Sequence, residues 1–247
     1  MNIGILGGGT WGKALATLVA EAGHQPRIGY TKKSPSGFPG TPNIPALCRE
    51  SDLILIATSP SDVRTMIQRA KLQPANHLVI ASQGLDPQQG GWLSDIVSEE
   101  SAAVRVGVIT GPALASEILN RRPSALVVAS RFKEVNKRGQ RALHSSICRV
   151  YTSQDIIGVE LAGAMVTIIT IALGIADSLH QGIGVRGIIV ARGLAESARL
   201  GLALGAEEHS FLGLAGVGDV IACGSHLENP KYLLGRQLGA GKKLQPN

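Results

Sequence analysis

Residues 2–12 read NIGILGGGTWG. The first five of these residues have the composition of a short buried strand, and the chain from Trp11 to Ala22 has helical character. The glycines between the two segments, Gly7, Gly9 and Gly12, match the spacing G-x-G-x-x-G. Because this glycine loop follows a strand and opens a helix, the stretch predicts a dinucleotide-binding Rossmann domain.

Each residue of the glycine loop has an expected task. Gly7 permits the tight turn, Gly9 lets the backbone approach a pyrophosphate, and Gly12 lets the helix pack close to the strand. Thr10 and Trp11 lie at the helix N-terminus, where free N–H groups favour anions, so both are candidate cofactor contacts. Packing is the alternative role of Trp11.

The pattern beyond the loop predicts an α/β fold. The chain has 247 residues, of which 44% are hydrophobic and 17% are charged, as expected of one large or two small globular domains. Buried-strand patterns recur at residues 27–31, 52–57, 78–81, 104–109 and 125–128, with helical segments between several of them. This alternation predicts a doubly wound, mainly parallel sheet. We expect a Rossmann domain at residues 1–153 and a mostly α-helical, shortened substrate domain at residues 154–247.

Composition and charge limit the partners, metal sites and cellular location that we expect of this protein. The net charge of +6 favours anionic ligands, but aromatic residues make up only 3% of the chain, so we expect no nucleic-acid partner. Cys48, Cys148 and Cys223 are widely separated and lack metal-ligand spacing, which predicts reduced thiols in a reducing compartment and no metal site. Because the first strand pattern begins at Asn2, we expect no signal peptide and a cytoplasmic protein. The longest apolar run, residues 161–176, is shorter than the roughly 18 residues of a membrane span and predicts a buried core helix.

The second strand gives an expectation for the cofactor. NAD sites place an acidic residue about 20 residues after the glycine loop, whereas residues 22–49 contain no Asp or Glu. Thr31, Lys32 and Lys33 stand there instead, and a hydroxyl with two cations suits a 2′-phosphate. The sequence therefore favours NADP(H) over NAD(H), with NAD(H) still accepted. The alternative is that the two lysines are exposed loop charges.

Several ordered motifs resemble one family, the NAD(P)-dependent sn-glycerol-3-phosphate dehydrogenases. The matching segments are GGGTWGKALA at 7–16, ITGPALASE at 109–117, RVYTS at 149–153, GVEL at 158–161, RGLAE at 192–196 and GLAGVGD at 213–219. The resemblance implies a Rossmann domain followed by a helical domain. It also implies hydride transfer from NAD(P)H to dihydroxyacetone phosphate, a small phosphorylated substrate, with Gly111 and Pro112 at the cofactor.

The chain departs from this family at two lysines. Val166 stands where the family has the lysine of a Gly-Ala-Leu-Lys-Asn segment, and Gln83 stands at the lysine of a Lys-Gly-Leu-Glu segment. Together such losses would raise the barrier on the order of 5–10 kcal/mol unless other groups replace them. The polar residues near the family motifs that could replace the two lysines are Asp219, Glu160, Thr167 and Gln83. Arg186 and Asn229 are candidate substrate-binding residues, although Glu228 beside Asn229 would repel a phosphate.

Three functions stay open at this point. The first is an active dehydrogenase of this family with a rearranged proton donor. The second is a reductase of the same fold that acts on another carbonyl or imine, and the third is a catalytically silent NADP(H)-binding protein. Because the match ends before the family's last helices, we also expect a homodimer that covers apolar surface.

Overall fold

A computed structural model describes residues 1–31 and 34–243. Its strands are β1 Asn2–Leu6, β2 Gln25–Gly29, β3 Gly40–Thr41, β4 Leu53–Ile56, β5 His77–Ile80, β6 Arg105–Thr110, β7 Ser124–Ala129 and β8 Cys148–Ser153. Together they form one sheet in the order β3-β2-β1-β4-β5-β6-β7-β8. Neighbouring strands are parallel except β6 and β7, which are antiparallel. The mainly parallel sheet confirms the predicted fold class.

Helices separate most of these strands and follow the last one. They are α1 Thr10–Glu21, α2 Ile44–Glu50, α3 Pro60–Ala70, α4 Leu93–Glu100, α5 Ala115–Leu119, α6 Lys133–Leu143, α7 Ile156–Ser178, α8 Gly182–Ala203, α9 Glu208–Leu212, α10 Asp219–Ser225 and α11 Pro230–Gly239. A π-helical turn, Leu214–Gly218, joins α9 to α10. Within the described residues, every strand precedes residue 154 and the chain after it is helical. The domain boundary itself stays a prediction.

The sheet is covered on both faces, which explains its apolar strands. All four residues of β4, Leu-Ile-Leu-Ile, are buried, as is typical of a central parallel strand between two helical layers. Leu53 and Leu55 share one core with side chains of α1, α5 and α6. Ile54 and Ile56 share the other with α2, α3, α4 and the start of α7. The sheet is therefore doubly wound.

The order of the strands fixes where a ligand crevice opens. From β1 the chain builds outward through β2 and β3, and it then returns to place β4 on the other side of β1. Parallel sheets of this kind bind ligands outside the carboxyl ends of the strands, at this reversal. The glycine loop follows Leu6, the last residue of β1, and so lies at the crevice.

Helix α7 forms the centre of the helical part. It is longer than the predicted apolar run because Asp155 caps it, its carboxylate accepting from the Gly158 N–H at 2.8 Å. By length and mean hydropathy, 2.2 over its most apolar window, this helix passes the test for a membrane span, yet 61% of that window is buried inside the protein. Burial in the protein is what the sequence predicted for it.

Glycines bring α7 and α11 unusually close together. A Cβ atom on Gly174 of α7 would lie 2.2 Å from the Tyr232 carbonyl oxygen. In the other direction, a Cβ atom on Gly235 of α11 would lie 2.0 Å from the Ile171 carbonyl oxygen. Neither position accepts a side chain without moving a helix, so these contacts fix the position of α11 on α7.

Candidate active site

The glycine loop has the geometry that its spacing predicts. Gly7 has φ +124°, and a Cβ atom there would lie 2.4 Å from the Ala57 carbonyl oxygen. A Cβ atom on Gly12 would lie 1.9 Å from the Gly7 carbonyl oxygen, so helix α1 needs a glycine where it crosses the loop. Gly9 differs, because its Cβ position has no atom within 4 Å. The backbone at Gly9 is therefore open to a ligand while Gly7 and Gly12 are closed by the protein.

The surroundings of the loop fit a dinucleotide. Gly9 is the N-cap of α1, so the free N–H groups of the first helical turn point into the crevice, as anion binding requires. Thr58, directly after Ala57, has a buried hydroxyl with no hydrogen-bond partner among the residues that the structure describes. An unpaired buried hydroxyl beside the loop is a ready ligand contact, and the sequence analysis did not single it out.

Trp11 ties the loop to a neighbouring strand. Its indole N–H donates to the Ala81 carbonyl oxygen at 2.8 Å, one residue beyond β5. The adjacent Ser82 hydroxyl donates to the Thr58 carbonyl oxygen at 2.7 Å. These two bonds hold the ends of β4 and β5 against the loop, which gives Trp11 the packing role that the sequence left as the alternative. Thr10 begins α1, and Thr31 is exposed after β2. Lys32 and Lys33 lie outside the described residues.

A cluster of polar side chains lies at the carboxyl ends of β5 and β6. We call Gln83, Thr110, Asp219 and Lys231 the polar cluster. The Gln83 side-chain N–H₂ donates to Thr110 Oγ1 at 2.7 Å and to Asp219 Oδ2 at 2.8 Å. Thr110 also donates to Asp219 Oδ2, at 3.0 Å, and Lys231 Nζ donates to Gln83 Oε1 at 2.8 Å. The Gln83 amide thus lies between an ammonium and a carboxylate.

Burial sets the electrostatics of the polar cluster. Asp219 is 2% exposed, and this burial raises the pKa of its carboxyl, against the opposing effects of the Cys223 thiol, the Lys231 charge and the Thr110 and Gln83 hydrogen bonds. Burial also lowers the pKa of the Lys231 ammonium, with Cys223 and Asp219 acting against that change. Each group is therefore easier to convert to its neutral form than in water. Shifts in this direction are typical of groups that take part in proton transfer.

Helix ends place the members of the cluster. Asp219 begins α10 directly after the π-helical turn, a distortion that often marks functional sites. Asn229 caps α11, its side-chain oxygen accepting from the Lys231 N–H at 2.9 Å, and Pro230 occupies the first helical position. Cys223 donates its thiol to Asp219 Oδ1 at 3.3 Å, and burial raises the pKa of this thiol to about 12, so it is a neutral donor.

Helix α7 closes the cluster from the other side. A Cβ atom on Gly163 would lie 3.1 Å from the Thr110 hydroxyl and 3.6 Å from Gln83 Cγ, so the helix backbone directly contacts both residues. One turn later, Val166 is 1% exposed and packs in an apolar group that includes Cys223 and Tyr232. The position that the family resemblance assigns to a lysine is therefore an apolar one here.

The structure places other candidates away from the cluster. Glu160 directs its carboxylate to Ser94 at the start of α4, accepting from the backbone N–H at 3.0 Å and the hydroxyl at 2.6 Å. The Thr167 hydroxyl is buried and, in the part of the chain that is described, unpaired. Arg186 pairs with Asp177 and donates to the Gly224 carbonyl oxygen at 2.8 Å. Neither Glu160 nor Arg186 therefore faces the cluster with a free charged group.

The Gly111-Pro112 segment also borders the site. Gly111 has φ +138° directly after β6, and Pro112 would contact a Cβ atom on Gly218 at 3.4 Å, so the Gly-Pro segment lies against the π-helical turn that precedes Asp219. Within residues 1–31 and 34–243, no group of three or more His, Cys, Asp or Glu side chains is arranged to hold a metal ion.

The buried Glu160 gives a testable pH dependence. Burial raises the pKa of its carboxyl from 4.5 to about 7, against the lowering effect of the Ser94 hydrogen bonds. The folded state therefore holds this proton more tightly than the unfolded state, and the protein loses stability as pH rises from 4.5 to 7. We expect the stability of Glu160→Gln relative to the wild type to increase over this range, by about 3 kcal/mol at pH 8.

Denaturant unfolding of both proteins between pH 4.5 and 8 measures this difference. The control is Glu134→Gln, which removes an exposed carboxyl paired with Arg105. A constant stability difference between Glu160→Gln and the wild type across this range would contradict the expectation.

Comparison with known proteins identifies the family. A model described as the NAD-dependent glycerol-3-phosphate dehydrogenase N-terminus matches residues 30–136, and the corresponding C-terminus model matches residues 155–246. A glycerol-3-phosphate dehydrogenase (NAD(P)+) of Trichormus variabilis is 39% identical over 244 residues, covering 97% of this chain and 77% of that protein. The chain belongs to the NAD-dependent glycerol-3-phosphate dehydrogenase family.

Other members of the glycerol-3-phosphate dehydrogenase family agree over nearly the whole chain. The Streptomyces griseus protein is 34% identical, over 98% of this chain and 79% of its own length. The crystal structure of the Coxiella burnetii glycerol-3-phosphate dehydrogenase superposes with a TM-score of 0.90 at 29% identity, covering 97% of this chain and 80% of that chain. The predicted family is confirmed, and with it NAD(P)(H) as the cofactor class.

Within this glycerol-3-phosphate dehydrogenase family member, sequence reasoning found only part of the cluster. Gln83 and Asp219 were predicted and do lie together. Lys231 and Thr110 were not predicted. The sequence signal that could have located Lys231 is Asn229-Pro230, a helix cap followed by a proline at the first helical position. This pair predicts a helix that begins beside Lys231.

Proposed function

We propose that this protein reduces dihydroxyacetone phosphate to sn-glycerol 3-phosphate with NAD(P)H. The observation that carries the proposal is the polar cluster, which lies at the same carboxyl edge of the sheet as the open glycine loop. We further propose that residues 1–153 bind the cofactor and that residues 154–247 complete the substrate site, since Asp219 and Lys231 come from the helical part. We propose the cytoplasm as its location.

When bound at the glycine loop, NAD(P)H would supply hydride to a carbonyl carbon. As the carbonyl carbon is reduced, its oxygen becomes negative and must be stabilised and protonated. Within the polar cluster the Gln83 N–H₂ and the Thr110 hydroxyl donate to other members, whereas the Lys231 ammonium donates one N–H to Gln83 and keeps further N–H groups for the developing charge. Asp219 anchors this network, because its two oxygens accept from Gln83, Thr110 and Cys223.

Among the substrate-binding candidates, we propose different tasks for Asn229 and Arg186. Asn229 is 6% exposed and caps α11, so it positions Lys231. Arg186 and Tyr232 both bind Asp177, with the Tyr232 hydroxyl at 2.6 Å, and this contact joins α7, α8 and α11. We therefore propose that Arg186 acts by holding these helices together, and that the substrate phosphate is bound by other groups.

The activity test is NADPH oxidation followed at 340 nm with purified protein, with and without dihydroxyacetone phosphate. We expect a rate that depends on dihydroxyacetone phosphate. A protein that binds NADPH in the same sample and shows no such rate would contradict the proposal.

A silent NADP(H)-binding protein is the second candidate, and one observation favours it. Val166 replaces a family lysine with a side chain that is 1% exposed in an apolar group. Tight NADPH binding without turnover on any carbonyl substrate would establish this function. Turnover of dihydroxyacetone phosphate would exclude it.

We propose a preference for NADPH over NADH. Support comes from Thr31, Lys32 and Lys33 and from the lack of acidic residues at 22–49. We expect the Lys32→Ala/Lys33→Ala variant to bind NADPH about 10-fold more weakly, the effect of one lost charge-assisted hydrogen bond, while NADH affinity stays unchanged. Fluorescence titration measures both constants, and Lys137→Ala on the exposed face of α6 is the control. Equal wild-type Kd values for NADPH and NADH would contradict the preference.

We also propose a homodimer. Ile183 and Ile188 on α8 are 82% and 60% exposed, which is unusual for large apolar side chains on one helix. Sedimentation equilibrium at micromolar concentration tests this, and a monodisperse monomer would contradict it.

A further inference from the structure

Lys231 contacts one of the two positions that the family resemblance assigns to lysines. Gln83, at the first position, accepts a hydrogen bond from Lys231 Nζ at 2.8 Å. Val166, at the second, lies in an apolar group with Cys223 and Tyr232. An ammonium group that comes from α11 therefore reaches the lysine-free position at Gln83.

We propose that Lys231 is a catalytic residue, whose ammonium contacts the reacting oxygen of the substrate and gives it a proton. This inference rests on the proposed function. As the carbonyl carbon of dihydroxyacetone phosphate accepts hydride, the π pair of the C=O bond moves to oxygen. That oxygen takes a proton from Lys231 Nζ, and the neutral amine then regains a proton from solvent. In the reverse reaction the neutral amine accepts the hydroxyl proton of sn-glycerol 3-phosphate.

The position of Lys231 in its helix supports this role. It is the second residue of α11, and side chains near a helix start lean toward the N-terminus, here toward the crevice end of the sheet. Asn229 and Pro230 fix the start of the helix, and Gly235 fixes its contact with α7. Contacts before and after Lys231 along the chain therefore fix the position of its backbone, and a catalytic donor requires such a fixed position.

The hydrogen bonding of Lys231 leaves donors for a substrate. An ammonium has three N–H groups, and Gln83 is its side-chain partner among the described residues. Because Gln83 donates in turn to Asp219, its amide oxygen faces Lys231 and its N–H₂ faces the carboxylate. The amide keeps the ammonium and the carboxylate from pairing directly, so the charge of Lys231 stays available to a developing oxyanion.

A purely structural Lys231 is the competing explanation, and it makes different predictions. A buried ammonium that only bonds Gln83 would lose stability on replacement, with equal effects on every ligand. A donor to the substrate oxygen affects only ligands that carry that oxygen. The experiment therefore compares sn-glycerol 3-phosphate with 3-hydroxypropyl phosphate, which lacks the hydroxyl at the central carbon.

The variants are Lys231→Met, which removes the charge, and Lys231→Arg, which keeps a charge that does not give up its proton at these pH values. Lys137→Met on the exposed face of α6 is the matched control. Calorimetry measures binding of both phosphates to the protein with NADP+, thermal unfolding measures stability, and NADPH oxidation between pH 6 and 10 measures kcat.

We expect the wild-type kcat to decline at alkaline pH as Lys231 loses its proton, and we expect Lys231→Met to lower kcat about 10²- to 10⁴-fold and to abolish that decline. It should weaken sn-glycerol 3-phosphate binding about 10-fold and leave 3-hydroxypropyl phosphate binding unchanged. Compared with Lys231→Met, Lys231→Arg should recover more of the affinity for sn-glycerol 3-phosphate than of kcat.

Equal weakening of both phosphates, or a Lys231→Met variant with wild-type kcat, overturns the role of Lys231 while the proposed function stands. If Lys231→Met fails to fold, the folded Lys231→Arg variant decides, because an unaltered pH profile in that variant also overturns the role. A wild-type protein that neither binds sn-glycerol 3-phosphate nor reduces dihydroxyacetone phosphate overturns the proposed function and this inference together.

Discussion

Replacing Gly12 with alanine is expected to remove measurable dinucleotide binding. The new Cβ atom would lie 1.9 Å from the Gly7 carbonyl oxygen, which is backbone and has no flexible end that yields. Either the loop or the start of α1 must move, at a cost of about 1–3 kcal/mol in stability. Because the same backbone forms the anion site, we expect the Kd for NADPH to rise at least about 100-fold.

Gly9→Ala is the matched comparison for this experiment. Its Cβ position has no protein atom within 4 Å, so the variant should unfold at the wild-type temperature. If the space in front of Gly9 is where a pyrophosphate lies, NADPH binding should still weaken about 10- to 100-fold. Fluorescence titration and thermal unfolding of both variants measure the two effects separately. Wild-type affinity in Gly9→Ala would show that the cofactor does not approach this backbone.

Replacing Gly235 with alanine is expected to destabilise the protein by about 3 kcal/mol, near the upper end for overpacked sites. Its Cβ atom would lie 2.0 Å from the Ile171 carbonyl oxygen, so α11 must move away from α7. For a chain of this size, that change corresponds to a fall in Tm of roughly 10 °C. Lys231 lies one turn earlier on α11, so we expect the activity to fall as well.

Gly187→Ala provides the control for Gly235→Ala. Gly187 is an exposed residue of α8 whose Cβ position has no atom within 4 Å, so alanine should stabilise the helix by up to about 1 kcal/mol. Opposite signs for the two glycine-to-alanine changes identify helix contact as the cause. Equal Tm values for Gly235→Ala and the wild type would mean that the two helices are farther apart than described.

Local sequence signals were enough for the first half of the fold. The glycine loop and the apolar strand β4 each lie within a few consecutive residues, and the structure confirms both. The predicted second strand, 27–31, begins two residues early in the structure, as β2 Gln25–Gly29. Strand ends depend on pairing with neighbours, which short patterns do not contain.

Other elements depend on contacts that the sequence does not display. Residues 34–46 contain four prolines and lie outside the predicted strands, yet they contain β3, which pairs with β2, and the start of α2. The strand β8 exposes alternate residues at the sheet edge and was not predicted. The antiparallel pairing of β6 with β7 depends on the direction in which each strand runs, and composition does not determine that direction.

The polar cluster shows the same limit at the level of chemistry. Gln83 and Asp219 were reached through motif positions, whereas Lys231 meets Gln83 across 148 residues of sequence. Glu160 was named as a candidate near a family motif, but the direction of its side chain depends on α4, which brings Ser94 to it. Which residues share a site is decided by how the helical part docks on the sheet, and single-sequence patterns do not record docking.

The indole of Trp11 can serve as an intrinsic fluorescent probe of the glycine loop. The chain contains two tryptophans, Trp11 in the loop and Trp92 before α4. With Trp92→Phe, all tryptophan emission comes from a ring bonded to Ala81 at the edge of the crevice. Bound reduced nicotinamide absorbs in the region where tryptophan emits, so energy transfer from this one ring would give occupancy, on- and off-rates and, through lifetimes, a distance, all without a label.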